Sequence, residues 1–174
     1  PQCCMLVGRE KWIAPIARHP LARALRIDKL TLAALAATLR HYREPETLER
    51  HVPLLELLST PVENLQQRAE RIAPQVAATA SVAAAEPIED VTYFGGGSVP
   101  SQQVPTWCVA ITPTDGSADK LAAQLRLAER PVIGRIKQDR LLLDLRSVFA
   151  RQDRELVAAF AALDATPSAA GTEA

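Results

Sequence analysis

The chain has little of several features that usually point to a function early. Its 174 residues carry twenty basic and twenty acidic side chains, so no charge excess favours a nucleic acid or an acidic partner. Aromatic residues make up 4% of the sequence, and no apolar run approaches the roughly 18 residues that span a bilayer. No signal peptide opens the chain. We therefore expect a cytoplasmic location and no membrane partner.

Cysteine and lysine are also scarce. The three cysteines are the adjacent Cys3 and Cys4 and the distant Cys108, which match neither a disulfide framework nor a zinc spacing, so we expect reduced thiols. The three histidines show no metal-binding spacing either. Four lysines stand against sixteen arginines, which suits anion recognition but is also typical of a GC-rich genome. We favour genome composition for most of the arginines.

The length suffices for one ordinary domain. A short apolar run, Cys-Cys-Met-Leu-Val at residues 3–7, stands almost at the first residue and ends at Gly8. Such a run is typical of a buried strand in an α/β sheet. Because natural N-termini usually begin with polar residues, we expect these residues to come from the middle of a larger fold.

Helical periodicity dominates the first half of the chain. Helices are predicted over residues 9–18, 27–42, 47–58 and 61–73. Pro15 interrupts the first of them, and Asp28 is the predicted N-cap of the second. Thr60 is the predicted N-cap of the last one, because a proline and a glutamate follow at the first and third helical positions. Pro74 is its predicted end.

The second half mixes strands and helices. An alanine-rich strand or linker follows Pro74, residues 107–111 form an apolar strand, and Ser117 caps a helix. Two strands, 132–137 and 141–145, pair across a turn at Gln138-Asp139, and a last helix covers about 152–163. The pattern predicts an α/β fold with helices packed on a small, largely antiparallel sheet.

Arg23 and Arg26 are candidate anion ligands. They lie three residues apart in the segment HPLARALRIDKLTLAALAATL, residues 19–39, and side chains at this spacing share a helix face. Two guanidinium forks on one face can hold a multivalent anion. On the spacing alone, a solvated surface pair is the better interpretation.

Two further motifs follow. Residues 95–100 read Gly-Gly-Gly-Ser-Val-Pro, and glycines let a backbone approach a ligand closely, although most such turns are connectors and this one is not a P-loop. Residues 131–136 read Pro-Val-Ile-Gly-Arg-Ile, with Leu-Leu-Leu-Asp-Leu-Arg behind them at 141–146. This third motif, after the arginine segment and the glycine turn, places Arg135 and Asp144 on predicted strands.

These three motifs, in this order, resemble those of bacterial selenocysteine synthases, the L-seryl-tRNA(Sec) selenium transferase family of fold-type-I pyridoxal-phosphate enzymes. The resemblance covers residues 1–146 in patches. It implies the C-terminal part of such a transferase. Residues 1–45 would be the end of the large cofactor domain and a connecting helix, 46–163 a small C-terminal α/β domain, and 164–174 a disordered tail.

The resemblance also implies a reaction. Seryl-tRNA(Sec) becomes selenocysteinyl-tRNA(Sec) through an aminoacrylyl intermediate, with pyridoxal phosphate as cofactor and selenophosphate as selenium donor. Arg23 and Arg26 would bind the donor, Ser98 would line the site, and Gln2 would lie beside the cofactor. The family forms homo-oligomeric rings built from dimers.

No catalytic residue is expected in this chain. Pro1-Gln2 is similar to the end of the Gly-Gly-Pro-Gln motif that follows the cofactor lysine in the family, so the Schiff-base lysine is expected before Pro1 and Lys29 is structural. The chain alone would then be inactive. The family typically has Ala-Gly after Pro-Gln, where this chain has Cys3-Cys4.

Some alternatives stay open. Related fold-type-I enzymes place a carboxylate-binding arginine near the position of Arg135, but a seryl-tRNA ester has no free α-carboxylate. Arg135 is equally suited to the tRNA backbone, a neighbouring subunit or Asp144. The alternative functions are a lyase of the same fold type that acts without tRNA, and an inactive truncated chain that takes part only in subunit association.

Overall fold

A computed structural model describes residues 3–93 and 103–165 of the chain. The chain divides into two compact units, Pro1–Glu56 and Leu57–Ala174. Our assignment of residues to parts of a larger enzyme stays a prediction. No helix within the described ranges is long and apolar enough to cross a membrane.

The first unit is helical. Its helices are α1 Glu10–Arg18, α2 Pro20–Ala24, α3 Lys29–His41 and α4 Leu48–His51, and α5 Pro53–Ser59 runs across the division between the units. None of these five helices contains a buried residue, and large apolar side chains such as Trp12 and Leu30 are exposed. The predicted helices form, but the described residues build no core beneath them.

Local capping explains where α2 and α3 begin. Asp28 Oδ1 accepts hydrogen bonds from the backbone N–H groups of Leu30 at 2.7 Å and Thr31 at 2.9 Å. His19 Nδ1 accepts the N–H of Leu21 at 3.2 Å, and a proline occupies the first position of α2. The prediction that Asp28 caps α3 is confirmed.

The strand predicted at residues 3–7 is wrong. These residues have no regular secondary structure, and Met5, Leu6 and Val7 are exposed. A strand needs a neighbouring strand for its backbone hydrogen bonds, and the four described strands all belong to one sheet in the second unit. An apolar run does not supply that partner.

In the second unit, α6 covers Val62–Ala77. Its N-cap residue is Pro61, which has no side-chain acceptor, so the helix begins one residue later than predicted and Thr60 does not occupy the N-cap position. The helix also continues past Pro74, where we predicted its end. Leu65 and Val76 are fully buried on either side of that proline. Apolar burial along this face outweighs the hydrogen bond that a proline removes.

The sheet is antiparallel throughout. Its strands are β1 Val82–Tyr93, β2 Gln103–Pro113, β3 Arg135–Lys137 and β4 Arg140–Asp144, in the order β1-β2-β4-β3. In the chain, α7 Ala118–Leu127 lies between β2 and β3, and α8 Asp153–Ala165 follows β4. Side chains of α6, α7 and α8 bury one face of the sheet around Phe160. The predicted α/β fold is confirmed.

Two local predictions in this unit are also confirmed. Ser117 Oγ accepts the N–H of Lys120 at 3.3 Å and so caps α7. Gln138 and Asp139 have φ of 53° and 56°, and the tightest β-hairpins require left-handed backbone at both turn residues. The β3–β4 hairpin therefore turns where the sequence predicts.

Candidate functional site

Arg23 and Arg26 do not share a helix face. α2 ends at Ala24, and Arg26 lies beyond the C-cap residue, so the helical premise for this pair is wrong. Asp28, the N-cap of α3, has extended backbone with φ of −75° and ψ of 170°, so a new helix begins there instead of α2 continuing through Arg26. Both arginines are exposed, and within the described ranges neither makes an ion pair or a side-chain hydrogen bond. Their charges are available to a ligand.

An apolar cavity of about 590 Å³ lies beside the same segment. Leu21 and Leu25 line one part of it, Ile16 of α1 another, and the thiol-bearing Cys4 a third. His19 is its one imidazole, and that side chain already caps α2. Neither arginine lines the cavity, so it provides apolar contact and no anion ligand.

Arg135 belongs to a layer of ion pairs on the sheet face opposite the one buried by α6, α7 and α8. Side chains alternate along a strand, so this face receives Thr106 and Cys108 of β2, with Asp90 and Asp144 on the neighbouring strands. Arg135 Nη2 lies 3.2 Å from a carboxylate oxygen of Asp90 and 3.2 Å from one of Asp144. Of the alternatives for Arg135, the structure shows the contact with Asp144.

Other side chains complete this layer. Lys137 donates to Asp90 at 3.0 Å, and the Thr106 hydroxyl donates to Asp144 at 2.6 Å. Arg135 also lies 3.6 Å from the Cys108 sulfur, which is fully buried beneath it. The arginine therefore has two carboxylate partners inside the chain, and its charge is balanced without a substrate.

Burial and the neighbouring charges shift the pKa values of this layer. Burial, followed by the charge of Asp144, raises the pKa of the Cys108 thiol to about 12, so the thiol stays protonated and unreactive. Burial alone would raise the pKa of Asp90, but hydrogen bonds from the Val91 N–H and Lys137, with the charge of Arg135, lower it. The layer thus favours an ionised Asp90.

We expect acid to weaken this layer. Because the native pKa of Asp90 lies below its ordinary value of 3.8, the unfolded chain binds the proton more readily. The stabilisation is complete above that value and is lost as the pH falls through the native pKa. Urea unfolding between about pH 2 and pH 7 should therefore show a shallower loss of stability in acid for Asp90→Asn than for the parent. Parallel pH profiles would contradict this assignment.

Gly134 explains part of the third motif in structural terms. A Cβ atom at this position would lie 2.6 Å from Leu141 Cδ1 and 2.9 Å from the Leu142 carbonyl oxygen. Only glycine lets the segment before β3 approach β4 this closely. The Gly-Arg pair in this motif therefore serves strand packing and the ion-pair layer.

Sequence reasoning missed two buried arginines. Arg146 is 6% exposed and donates to the carbonyl oxygens of Pro105, Leu57, Leu58 and Thr60. Arg68, on α6, bonds Asp153, which lies 85 residues away in the sequence. No local pattern could have revealed these contacts, because their partners lie far along the chain.

Gln2 and Ser98, which we predicted beside the cofactor and in the site, lie outside the described residues. Cys4 is exposed and Cys3 is partly buried. Lys29 lies in the first turn of α3 and is exposed, and its structural role stays a prediction. The described residues contain no group of three side chains that could hold a metal ion.

Comparison with known proteins assigns the chain to a class of transferases. The profile of the L-seryl-tRNA selenium transferase family matches residues 1–149, and the chain belongs to this family. The resemblance seen in the three motifs is therefore confirmed.

The chain is similar to several curated relatives, each named L-seryl-tRNA(Sec) selenium transferase. The protein of Hyphomonas neptunium is 42% identical over 160 residues, covering 92% of this chain and 34% of the relative. That of Moorella thermoacetica is 40% identical, covering 91% and 34%. That of Klebsiella pneumoniae is 45% identical over 154 residues, covering 84% and 32%. The chain spans about a third of the length of these relatives.

Proposed function

We propose that this chain contributes to an L-seryl-tRNA(Sec) selenium transferase, which converts seryl-tRNA(Sec) into selenocysteinyl-tRNA(Sec) with selenophosphate as donor. The observation that carries the proposal is the family match over residues 1–149. The names of the relatives favour it over a lyase that acts without tRNA. Because its substrate would be a tRNA, we propose a cytoplasmic location for the enzyme. We also propose that the enzyme is a homo-oligomer.

Pyridoxal phosphate is our proposed cofactor for the whole enzyme, but the described residues do not fit its covalent attachment. A Schiff-base lysine is activated by burial in an apolar site. Lys11 lies over an indole ring at 5.1 Å and Lys137 bonds a carboxylate at 3.0 Å, while Lys29 and Lys120 are exposed on helices. We therefore propose that the lysine belongs to another part of the enzyme.

The contribution that these residues can make is anion binding. Arg135 already has Asp90 and Asp144 as partners, whereas Arg23 and Arg26 have none within the described ranges. A phosphate-bearing selenium donor offers several anionic oxygens to two guanidinium groups. We propose Arg23 and Arg26 as donor-binding residues and Arg135 as a residue of the sheet.

In a full-length transferase carrying this segment, Arg23→Ala or Arg26→Ala should raise the selenophosphate concentration needed for half-maximal rate by about 10- to 100-fold. The reason is the loss of one charge-assisted hydrogen bond to the donor. Binding of seryl-tRNA should change much less. Formation of selenocysteinyl-tRNA at increasing selenophosphate, with a separate tRNA-binding assay, measures both.

Arg40→Ala is the matched control. Arg40 is an exposed arginine of α3 with no ion pair among the described residues, so its removal takes away the same charge from the same unit. Donor saturation curves that coincide for Arg23→Ala, Arg26→Ala and Arg40→Ala would exclude the proposed role of the pair.

A further inference from the structure

The second unit contains an arginine-lined cavity that the proposed reaction does not use. Its volume is about 550 Å³, and residues of α6, of α8 and of the turn before α8 line it. Three arginines contribute, Arg71, Arg151 and Arg154, against a single carboxylate, Asp153. The chain as a whole is neutral, so this is a local concentration of positive charge.

Asp153 does not neutralise the three arginines of the cavity, because the buried Arg68 already balances its negative charge. Asp153 accepts hydrogen bonds from Arg68 Nε at 3.1 Å and Nη2 at 2.7 Å, and the Arg68 side chain is only 6% exposed. Arg71 then adds a second cation at 2.6 Å while remaining 62% exposed. Asp153 holds the Arg71 guanidinium in place at the cavity without cancelling its charge.

The other two arginines stand where a helix disfavours them. Arg151 and Arg154 lie beside the N-terminus of α8, the positive end of the helix dipole, where acidic residues are the stabilising choice. The Arg151 guanidinium stacks on the Phe149 ring at 3.9 Å. Arg154 is exposed and has no ion pair within residues 3–93 and 103–165. Arg154 therefore opposes the helix dipole without a compensating ion pair in the described residues, and such local conflicts concentrate at functional sites.

We propose that this cavity binds a backbone phosphate of RNA, an inference that rests on the proposed function because the substrate there is a tRNA. The guanidinium fork matches the geometry of a phosphate, and phosphate contacts position an RNA without reading its sequence. An acidic peptide is less favoured because nothing in the proposed reaction supplies one. Arg154 and Arg71 are the binding residues, and Asp153 positions Arg71.

The test uses the 174-residue chain and a fluorescently labelled tRNA transcript, with affinity measured by anisotropy at several salt concentrations. Arg154→Ala should weaken binding about tenfold and lower the slope of log affinity against log salt by about one. Arg154→Lys should retain most of the affinity. Arg126→Ala is the matched control, since Arg126 is an exposed arginine of α7 with no ion pair in the described part of the chain.

Competition at constant ionic strength separates the possible ligands. Excess inorganic phosphate should weaken tRNA binding to the parent, because it occupies the same guanidinium groups, and should have less effect on Arg154→Ala, whereas polyglutamate at the same charge concentration should displace little tRNA. The proposal is overturned if inorganic phosphate competes equally against the parent and Arg154→Ala, if polyglutamate displaces the tRNA as well as unlabelled tRNA does, if Arg154→Ala and Arg126→Ala bind alike, or if the chain binds no tRNA. Because this assay needs no transferase activity, its failure leaves the donor experiment on Arg23 and Arg26 unaffected, and the reverse also holds.

Discussion

Asp153→Ala lowers the free energy of unfolding by about 3–5 kcal/mol, because it leaves the buried Arg68 guanidinium without its carboxylate. The Asp153 side chain is 9% exposed and the Arg68 side chain 6%, so the guanidinium loses its charged partner at a site largely shielded from solvent. Arg68 also donates to the carbonyl oxygens of Leu145 and Val148, which ties α6 to the segment before α8. Urea unfolding followed by far-UV circular dichroism measures the loss.

Arg71→Ala is the control for that experiment, because Arg71 bonds the same carboxylate from an exposed position. Its removal should cost below about 1 kcal/mol, as is usual for exposed ion pairs. If Arg71→Ala destabilised the chain as much as Asp153→Ala, burial of the Arg68 pair would not be the cause of the effect.

Arg146→Ala is expected to cost about 3 kcal/mol, the second largest effect we predict. The truncation removes a buried guanidinium that donates to four carbonyl oxygens, those of Pro105 at 2.8 Å, Leu57 at 3.3 Å, Leu58 at 3.1 Å and Thr60 at 3.1 Å. These hydrogen bonds are partly buried, so carbonyl groups that lose the donor keep part of their desolvation cost. The same urea experiment measures it.

Arg146→Lys tests the geometry of this contact. A lysine keeps the charge but cannot donate in several fixed directions from a planar fork, so it should recover less than half of the loss. Arg140→Ala removes an arginine from the partly exposed pair with Glu86 and should cost below about 1 kcal/mol. A lysine variant as stable as the parent would show that charge alone accounts for the role of Arg146.

Elements with short-range signals were predictable from the sequence. The Asp28 cap of α3, the Ser117 cap of α7 and the turn at Gln138-Asp139 depend on hydrogen bonds and backbone angles within three or four residues. Predictions failed where packing opposed the local signal. α6 continues through Pro74 because its apolar face is buried.

For the candidate site, too, the sequence indicates some features and only the fold shows the others. The candidate arginines Arg23, Arg26 and Arg135 lie in motifs that resemble one family, and the chain belongs to that family, while the roles of these residues stay proposals. What each arginine contacts could not be found. Arg135 lies 45 residues from Asp90, and the register of three strand pairings across the four-stranded sheet brings them together.

The family, the α/β class, the caps of α3 and α7 and the hairpin turn follow from residue order, because adjacent residues carry the signals for them. The folded arrangement alone distinguishes arginines with available charge from arginines with a partner in the chain. Arg68 and Arg146 are buried and Arg135 is neutralised by two carboxylates, while Arg23 and Arg26 remain exposed. The physical reason is that a charge is balanced by whatever packing brings within a few ångströms, and that distance depends on the whole fold.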